Sequence, residues 1–514
     1  MIQNGQIQSL PFEKWVWKLK KIRLVLILML VSILVQFIWF KYLYPYPSFI
    51  PDSYSYIEAA LNNEYVSIRP IGYSKFLQLF HMVSSSHRAL VLFQYFLLQI
   101  GIFYLLLSLD YLFILQPRIL KILIVCNTLN PLLFYVSNLL SSDALFTGLS
   151  LIWFTQLLWI LHQPSMHLVI SHAIILFLAF AMRYNALYYP LISIGVLTLS
   201  RTKWRIQITG TLLIIILIGM LVAETMGNYR LITGKTQFSA FGGWQLASNA
   251  LFSYSRVIVS EPEQVPAKFS QLHCTVKKHM DSLRQLKNRP DSVLGPYYLW
   301  DEQAPLKKYM NDVYSNDNTS SFIQRWASMG PLYTEYGSWL IWNHPTAFMK
   351  YYLWPNARDY YSPATEFLNA YNMDSDNIEP IAMFWFKLKT TKVYTHLEDK
   401  GIIVTILFPP IFAAINILFI FSLIGYLILD GFKKESSSFN RFLFLAFSVW
   451  LCNFCFSILA SPIVLRYQVF PMIIIFSFSI LLVVVILKQS KTAMDKNNLI
   501  TQEWTHRRAP DLNY

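Results

Sequence analysis

Charge is what this sequence is short of. Only 14% of its 514 residues are Asp, Glu, Lys or Arg, and 55% are hydrophobic. Ordinary soluble domains carry about 25% charged residues. A chain this apolar, with uncharged runs about 20 residues long, reads as a polytopic membrane protein and not as a soluble one. Cysteine is scarce too: Cys126, Cys274, Cys452 and Cys455 are the four present. Three fall in apolar runs, so the large polar region has one and no internal disulfide. Cys452-Asn453-Phe454-Cys455 has C-x-x-C spacing, but it sits inside an apolar run without a second pair, where small apolar packing accounts for it. There is no tandem repeat, the feature that marks many transporters. No cleavable signal is expected either, because the first apolar run is too long and lacks a small-residue cleavage site after it.

What the sequence does have is a succession of ten apolar runs, near 24–43, 89–109, 119–137, 144–161, 168–182, 186–199, 206–224, 401–429, 442–460 and 467–487. They predict an all-α membrane protein with about ten transmembrane helices. The long polar region between runs seven and eight predicts a mainly helical extracytoplasmic domain. The chain then divides into an N-terminal transmembrane module at 1–224 with a first external loop at 44–88, a loop domain at 225–400, C-terminal transmembrane helices at 401–487, and a cytoplasmic tail at 488–514. Ten spans put both termini on one side, and Lys and Arg in short loops decide which side that is. Eighteen lie with the termini; six, namely Lys41, Arg69, Lys75, Arg88, Arg183 and Arg466, lie opposite. Both termini are therefore expected in the cytoplasm, the chain being a multi-pass protein of the plasma (inner) membrane. The formal charge of +14 follows that bias and does not point to nucleic acid. The 225–400 region has an ordinary soluble balance of 18 Lys/Arg to 16 Asp/Glu. Its aromatic middle, with Trp326, Tyr333, Tyr336, Trp339, Trp342 and Trp354, suits a helix at headgroup level. It equally suits the aromatic core of a small helical domain.

The stretch Pro51–Lys75 draws the most attention. Asp52 stands where a helix would begin, with Ile57, Ala60 and Leu61 following at helical spacing. It has two compatible readings: an N-cap, or a general base that takes a proton from an acceptor hydroxyl. Glu58 and Glu64 rank below it. Arg69, Arg183 and Arg466 each lie on the external side at the edge of an apolar run, against the orientation bias. Arginine suits phosphate oxygens; snorkelling to the interface is the alternative. Asp143 follows Ser141-Ser142 at the outer start of run four, as a capping carboxylate or as a second catalytic or positioning one. Several strings fail as motifs. Thr233-Gly234-Lys235-Thr236 lacks the earlier glycine of a phosphate loop, since Tyr229 stands there. His273, Cys274 and His279 have no matching pair for zinc.

Four places together resemble the polytopic, lipid-sugar-dependent glycosyltransferases of the GT-C type, which include protein mannosyltransferases and lipid A aminoarabinose transferases. They are Pro51-Asp52-Ser53-Tyr54-Ser55-Tyr56, Arg69-Pro70-Ile71-Gly72-Tyr73, Asn130-Pro131 through Ser142-Asp143-Ala144-Leu145-Phe146, and Arg466-Tyr467 with Pro471. Arg183-Tyr184-Asn185-Ala186-Leu187-Tyr188 with Pro190 is similar to the family's turn between spans five and six. The resemblance covers spans one to six and the last span, and leaves 225–400 unmatched. It implies an inverting transferase with Asp52 as catalytic carboxylate and Asp143 as a second. Arg69, Arg183 and Arg466 would bind substrate phosphate, and Tyr56, Tyr73 and Tyr467 would line the substrate. The implied partners are a polyprenyl-phosphate sugar donor, membrane lipids, and a lipid, glycan or protein acceptor. Some relatives use a divalent metal and others do not; this sequence has no ligand cluster. Mannosyltransferases commonly carry an acidic pair in the first loop, whereas Ser53 follows Asp52 here.

A transporter or flippase of a lipid-linked or anionic substrate is the alternative, and a docking protein that uses the outer domain is a third. Polar groups gathered at one membrane face favour the enzyme over a mid-span pathway. The charge bias makes one prediction directly. Lys287→Cys, in a background whose native cysteines are replaced by serine, should react with a membrane-impermeant thiol reagent in intact cells or spheroplasts. Labelling only after lysis overturns the orientation.

Overall fold

The computed structural model describes residues 11–18, 20–200, 202–258, 264–293, 296–397, 402–460 and 462–507. Expectations for 1–10, the loop-domain end at 398–400 and the tail end at 508–514 lie outside the described residues. Among the described residues there is no strand; three isolated backbone bridges pair Ser48 with Leu139, Ala364 with Val464, and Asn377 with Lys392.

Every apolar run is helical. The helices that carry the argument are α1 (Lys20–Leu43), α2 (Pro51–Leu61), α3 (Gly72–Val83), α4 (His87–Phe113), α5 (Pro117–Thr128), α6 (Leu132–Asn138), α7 (Asp143–His162), α8 (Met166–Met182), α9 (Tyr189–Leu199), α10 (Trp204–Thr233), α11 (Ala240–Tyr254), α12 (Phe322–Asn343), α13 (Ile402–Ile428), α14 (Ser437–Ala460) and α15 (Leu465–Arg507); further helices, among them Ser270–Arg284 and Pro305–Val313, lie between α11 and α12. Among the described residues eight helices are long and apolar enough to cross a membrane, with α5 and α6 together counted as one. Runs five and six correspond to Met166–Met182 and Tyr184–Leu199, which are shorter. Ten apolar runs are expected as ten spans; eight helices among the described residues reach that length, and the two that fall short lie on either side of Arg183, where the break between runs five and six is expected. Run three is likewise broken, at Asn130-Pro131, where the Asn130 side chain accepts from the Leu132 N–H at 3.0 Å. Serines mark other starts: Ser86, Ser165 and Ser239 accept from backbone N–H groups three residues on. Each satisfies a donor that the first helical turn leaves open.

Helix α7 is the axis of the bundle, with 94% of its apolar window buried, against 11% for α10 at the periphery. It packs against α4, α8, α9, α14 and α15. Inside the bundle, polar side chains tie helices pairwise. Trp153 on α7 donates to Ser193 Oγ on α9 at 2.9 Å, and His172 on α8 lies 2.9 Å from the same oxygen. Trp159 donates to Ser108 on α4 at 2.8 Å. Where water is scarce such groups must find partners within the protein.

Residues of the 225–400 region are divided between two hydrophobic cores. Residues from Tyr229 to Leu340 build their own core around Trp244, Trp326, Tyr333 and Tyr336, joined by Val66 from the first loop. Tyr360, Leu368, Tyr371, Trp385 and Val393 belong instead to the core of the bundle. The aromatic density is thus divided. Trp326, Tyr333 and Tyr336 are fully buried in α12, while Trp342 and Trp354 are exposed. Helices α11 and α12 touch backbone to backbone: a Cβ on Gly243 would come 2.0 Å from the Gly330 carbonyl oxygen. The tail also departs from expectation, since α15 continues as a helix to Arg507 instead of ending near residue 487.

Gly72 sets the position of the first loop. A Cβ there would stand 2.4 Å from the carbonyl oxygen of Ala181, two residues before Arg183. Gly72→Ala should therefore force α3 away from α8 and destabilise the protein by about 1–3 kcal/mol, as overpacking does. Gly219→Ala, whose Cβ meets nothing within 4 Å, should be neutral or stabilising. Thermal unfolding of the purified protein in detergent compares the two; equal melting temperatures would show that the contact is not tight.

Candidate functional site

Backbone bridges knit four chain segments together at one end of the bundle. Ser48 N–H donates to Asn138 O at 2.8 Å, and Leu140 N–H returns to Ser48 O at 3.0 Å. Leu465 N–H donates to Ala364 O at 2.7 Å. The start of α2, the start of α7, the 364–367 segment and the start of α15 are thereby fixed. Each carries a charged residue: Asp52, Asp143, Glu366 and Arg466.

Helix α2 begins at Pro51, with Asp52 at its second position. Asp52 was expected as the N-cap, and its side chain is not one. Ser53 serves the terminus instead, accepting from Ile50 N–H at 3.0 Å and donating to Leu140 O at 2.8 Å. Asp52 Oδ1 is turned to Arg69 Nη2 at 2.5 Å, and the residue is 8% exposed. Arg69 comes off the loop before α3 and places its guanidinium 5.6 Å from the ring centre of Trp300 in the long polar region.

Asp143 is the most heavily engaged group. It is 2% exposed and accepts from Ser141 Oγ at 2.7 Å, from Arg466 Nη1 at 2.9 Å and from Arg183 Nη1. It opens α7, and Arg183 closes α8. A carboxylate at a helix N-terminus and a cation at a C-terminus both suit the helix dipoles. Tyr467 is shared by the two arginines, its ring centre 4.3 Å from Cζ of Arg183 and 4.5 Å from Cζ of Arg466. Phe367 lies 5.1 Å from Cζ of Arg466. Phe367 has φ of 64°, a conformation that costs a bulky residue energy and recurs where a site fixes its side chains. Arg466 Nε is buried with no hydrogen-bond partner among the described residues.

Ser142 links the two halves. Its hydroxyl lies 3.4 Å from Arg183 Nη1 and 3.3 Å from the Tyr56 hydroxyl. Tyr56 sits one turn after Asp52 on α2. Burial raises the pKa of its phenol, with the Arg69 guanidinium the largest opposing influence. The neutral phenol is the form that burial favours. Glu366 is raised as well, mainly by burial; Arg466 opposes this and Asp52 adds to it. In the protonated form of Glu366, three arginines face two carboxylates.

Of the residues singled out in the sequence, Asp143, Arg183, Arg466 and Tyr467 thus form one cluster. Asp52, Arg69 and Tyr56 form a second, joined to it through Ser142. Tyr73 does not line the site: it is fully buried and donates to Gln94 Oε1 at 2.7 Å, with its ring against Tyr56. Sequence reasoning missed Glu366, Phe367 and Trp300. They lie in the long polar region, where no spacing connects them to the first loop. Among the described residues no group of three or more His, Cys, Asp or Glu could hold a metal ion. No family model, curated protein or solved structure matches the chain.

Asp143→Asn leaves two arginines without their shared charge in a buried position. Removing one partner of a buried ion pair costs about 3–5 kcal/mol. Asp52→Asn removes a more accessible pair, with side chains 19% and 12% exposed, and should cost less. Thermal unfolding in detergent should rank Asp143→Asn well below Asp52→Asn; the reverse order would show that Asp143 does not hold the arginines.

Proposed function

We propose that the protein is a membrane glycosyltransferase that moves a sugar from a polyprenyl-phosphate donor to an acceptor hydroxyl, with inversion, on the extracytoplasmic face. One observation carries this: the two aspartates are engaged differently. Asp143 is consumed by Arg183, Arg466 and Ser141. Asp52 gives one oxygen to Arg69, and its Oδ2 makes no hydrogen bond among the described residues. Asp52 is then the base and Asp143 the residue that positions the arginines.

In the step, the acceptor oxygen attacks the anomeric carbon from the face opposite the phosphate. The carbon–oxygen bond to the lipid phosphate breaks, and its electron pair leaves on the phosphate oxygen. The acceptor proton passes to Asp52 Oδ2. The phosphate gains charge as it leaves, and donors aimed at that charge lower the barrier. Arg466 supplies an unpartnered buried Nε, and Arg183 and Arg69 add positive charge nearby. Arg69 also fixes Asp52 by pairing with Oδ1, which leaves Oδ2 for the acceptor. Tyr467 orients both arginines, and Tyr56, one turn from Asp52, stands where it can donate to the sugar or phosphate. The transporter alternative gains nothing from the mid-span polar groups, which join neighbouring helices in short local contacts.

Asp52→Asn keeps size and removes basicity. It should fold and bind donor lipid, yet lose transfer by about 100-fold or more, the scale of general-base loss. Transfer is measured with lipid-phosphate sugars in membranes at matched expression, beside donor retention. Near-normal transfer would remove Asp52 from the reaction and direct attention to Glu366.

A further inference from the structure

The opposite end of α7 carries a second feature. Leu161 lies 18 residues after Asp143, about 27 Å along the helix axis at 1.5 Å per residue. That is close to the roughly 30 Å thickness of a bilayer's hydrocarbon core. Here α7, α9 and α14 diverge around a cavity of about 590 Å³. Leu161, Ile192, Val196, Leu199 and Phe444 supply apolar walls. Glu435, Ser437 and Arg441 stand at its polar end, at the start of α14 and just before it. The volume falls within the range of about 300–1,000 Å³ found for small-molecule sites.

Two details point to what fills it. An empty apolar space leaves its lining without partner atoms on one side, and at this depth of the bundle the surrounding solvent is lipid. Arg441 is also incompletely satisfied. Its Nη2 reaches only Ser438 Oγ, at 3.4 Å, and its Nε is buried with no hydrogen-bond partner. No carboxylate pairs with it among the described residues. A guanidinium so placed matches a phosphate diester. Glu435 accepts from Gln489 Nε2 at 3.0 Å through Oε1, which leaves its second oxygen for a cation at the same rim.

We propose that this cavity binds one phospholipid with an amine-bearing head group, from the leaflet opposite the carboxylate–arginine site. Its phosphate rests on Arg441, its ammonium on Glu435, and an acyl chain lies between α7, α9 and α14. The assignment is independent of glycosyl transfer, since none of these residues touches the other site.

Gly195 provides a clean test. It lines the cavity, and a Cβ added there meets nothing within 4 Å. Gly195→Phe should occupy the space, since its Cβ meets no neighbour, and replacing a helical glycine favours the helix. The full chain is purified in mild detergent, and bound lipid is counted by native mass spectrometry and by extraction. Wild type should retain about one phospholipid per chain, enriched in phosphatidylethanolamine over the source membrane. Gly195→Phe should lose it, and Arg441→Gln should retain about tenfold less, the effect of one lost charged hydrogen bond. Glu435→Gln should keep the total and lose the amine enrichment. Titration with phosphatidylethanolamine should raise the melting temperature of wild type and not that of Gly195→Phe. Equal retention by wild type and Gly195→Phe overturns the site. Equal stabilisation by diacylglycerol overturns the phosphate contact, and equal stabilisation by phosphatidylglycerol overturns the role of Glu435.

Discussion

One carboxylate shared by two arginines governs this end of the molecule. Asp143 is buried at the start of α7, and its charge is met by Arg183 from the α8 terminus and Arg466 from the start of α15. Burying three charges is expensive, and an apolar replacement of similar volume is often no less stable. The cluster is therefore poorly explained as a device for stability. It fixes the direction of two guanidinium groups, which under the proposed function would meet the donor phosphate. Charges held in place need not reorganise during a reaction, which is where electrostatic catalysis gains most.

The surroundings are arranged to the same end. Tyr467 lies against both guanidinium groups, and Phe367 covers Arg466 from a segment whose backbone is strained. That segment is tied back to the first loop through Asn372, whose backbone N–H donates to Ser48 Oγ at 2.9 Å and whose Oδ1 accepts from Phe49 N–H at 3.2 Å. The long polar region thus contributes twice. Its first part folds around its own aromatic core and brings Trp300 to Arg69. Its second part returns to the bundle and places Glu366 and Phe367 beside Arg466.

Much of this was legible because lipid imposes one rule. A backbone crossing hydrocarbon must satisfy itself, so an apolar run means a helix, and each run is helical. Charged residues at run edges were legible for the same reason: Asp143, Arg183 and Arg466 are costly there and so stood out. The limits have physical causes too. Run five and run six gave no sign that Arg183 would be drawn inward to Asp143, because hydropathy records composition and not pairing. Of the two readings of Asp52, the cap fails because Ser53, one residue on, reaches back to Ile50 just as well. The resemblance implies Tyr73 as a substrate-lining residue, but Gln94 on α4 offers its hydroxyl a buried partner. Glu366 was invisible, since its proximity to Asp52 comes from contacts between residues more than 300 positions apart.

The mid-span polar pairs complete the account of how the arginines are aimed. A helix in lipid is free to rotate about its axis unless something specific holds it, because lipid tails are as apolar as its own surface. Ser193 on α9 meets Trp153 on α7 and His172 on α8. Closer to the site, Tyr189 donates to Ser150 on α7 at 2.8 Å. These contacts lock the rotation of α7, α8 and α9 against one another within a few turns of Asp143. Arg183 lies between α8 and α9, so fixing both helices fixes where its side chain emerges. Direct contact with Asp143 then sets only the last few ångströms. A pair of charges can be held this rigidly at a membrane surface because uncharged hydrogen bonds beneath it have already removed the freedom that the ion pair would otherwise have to overcome.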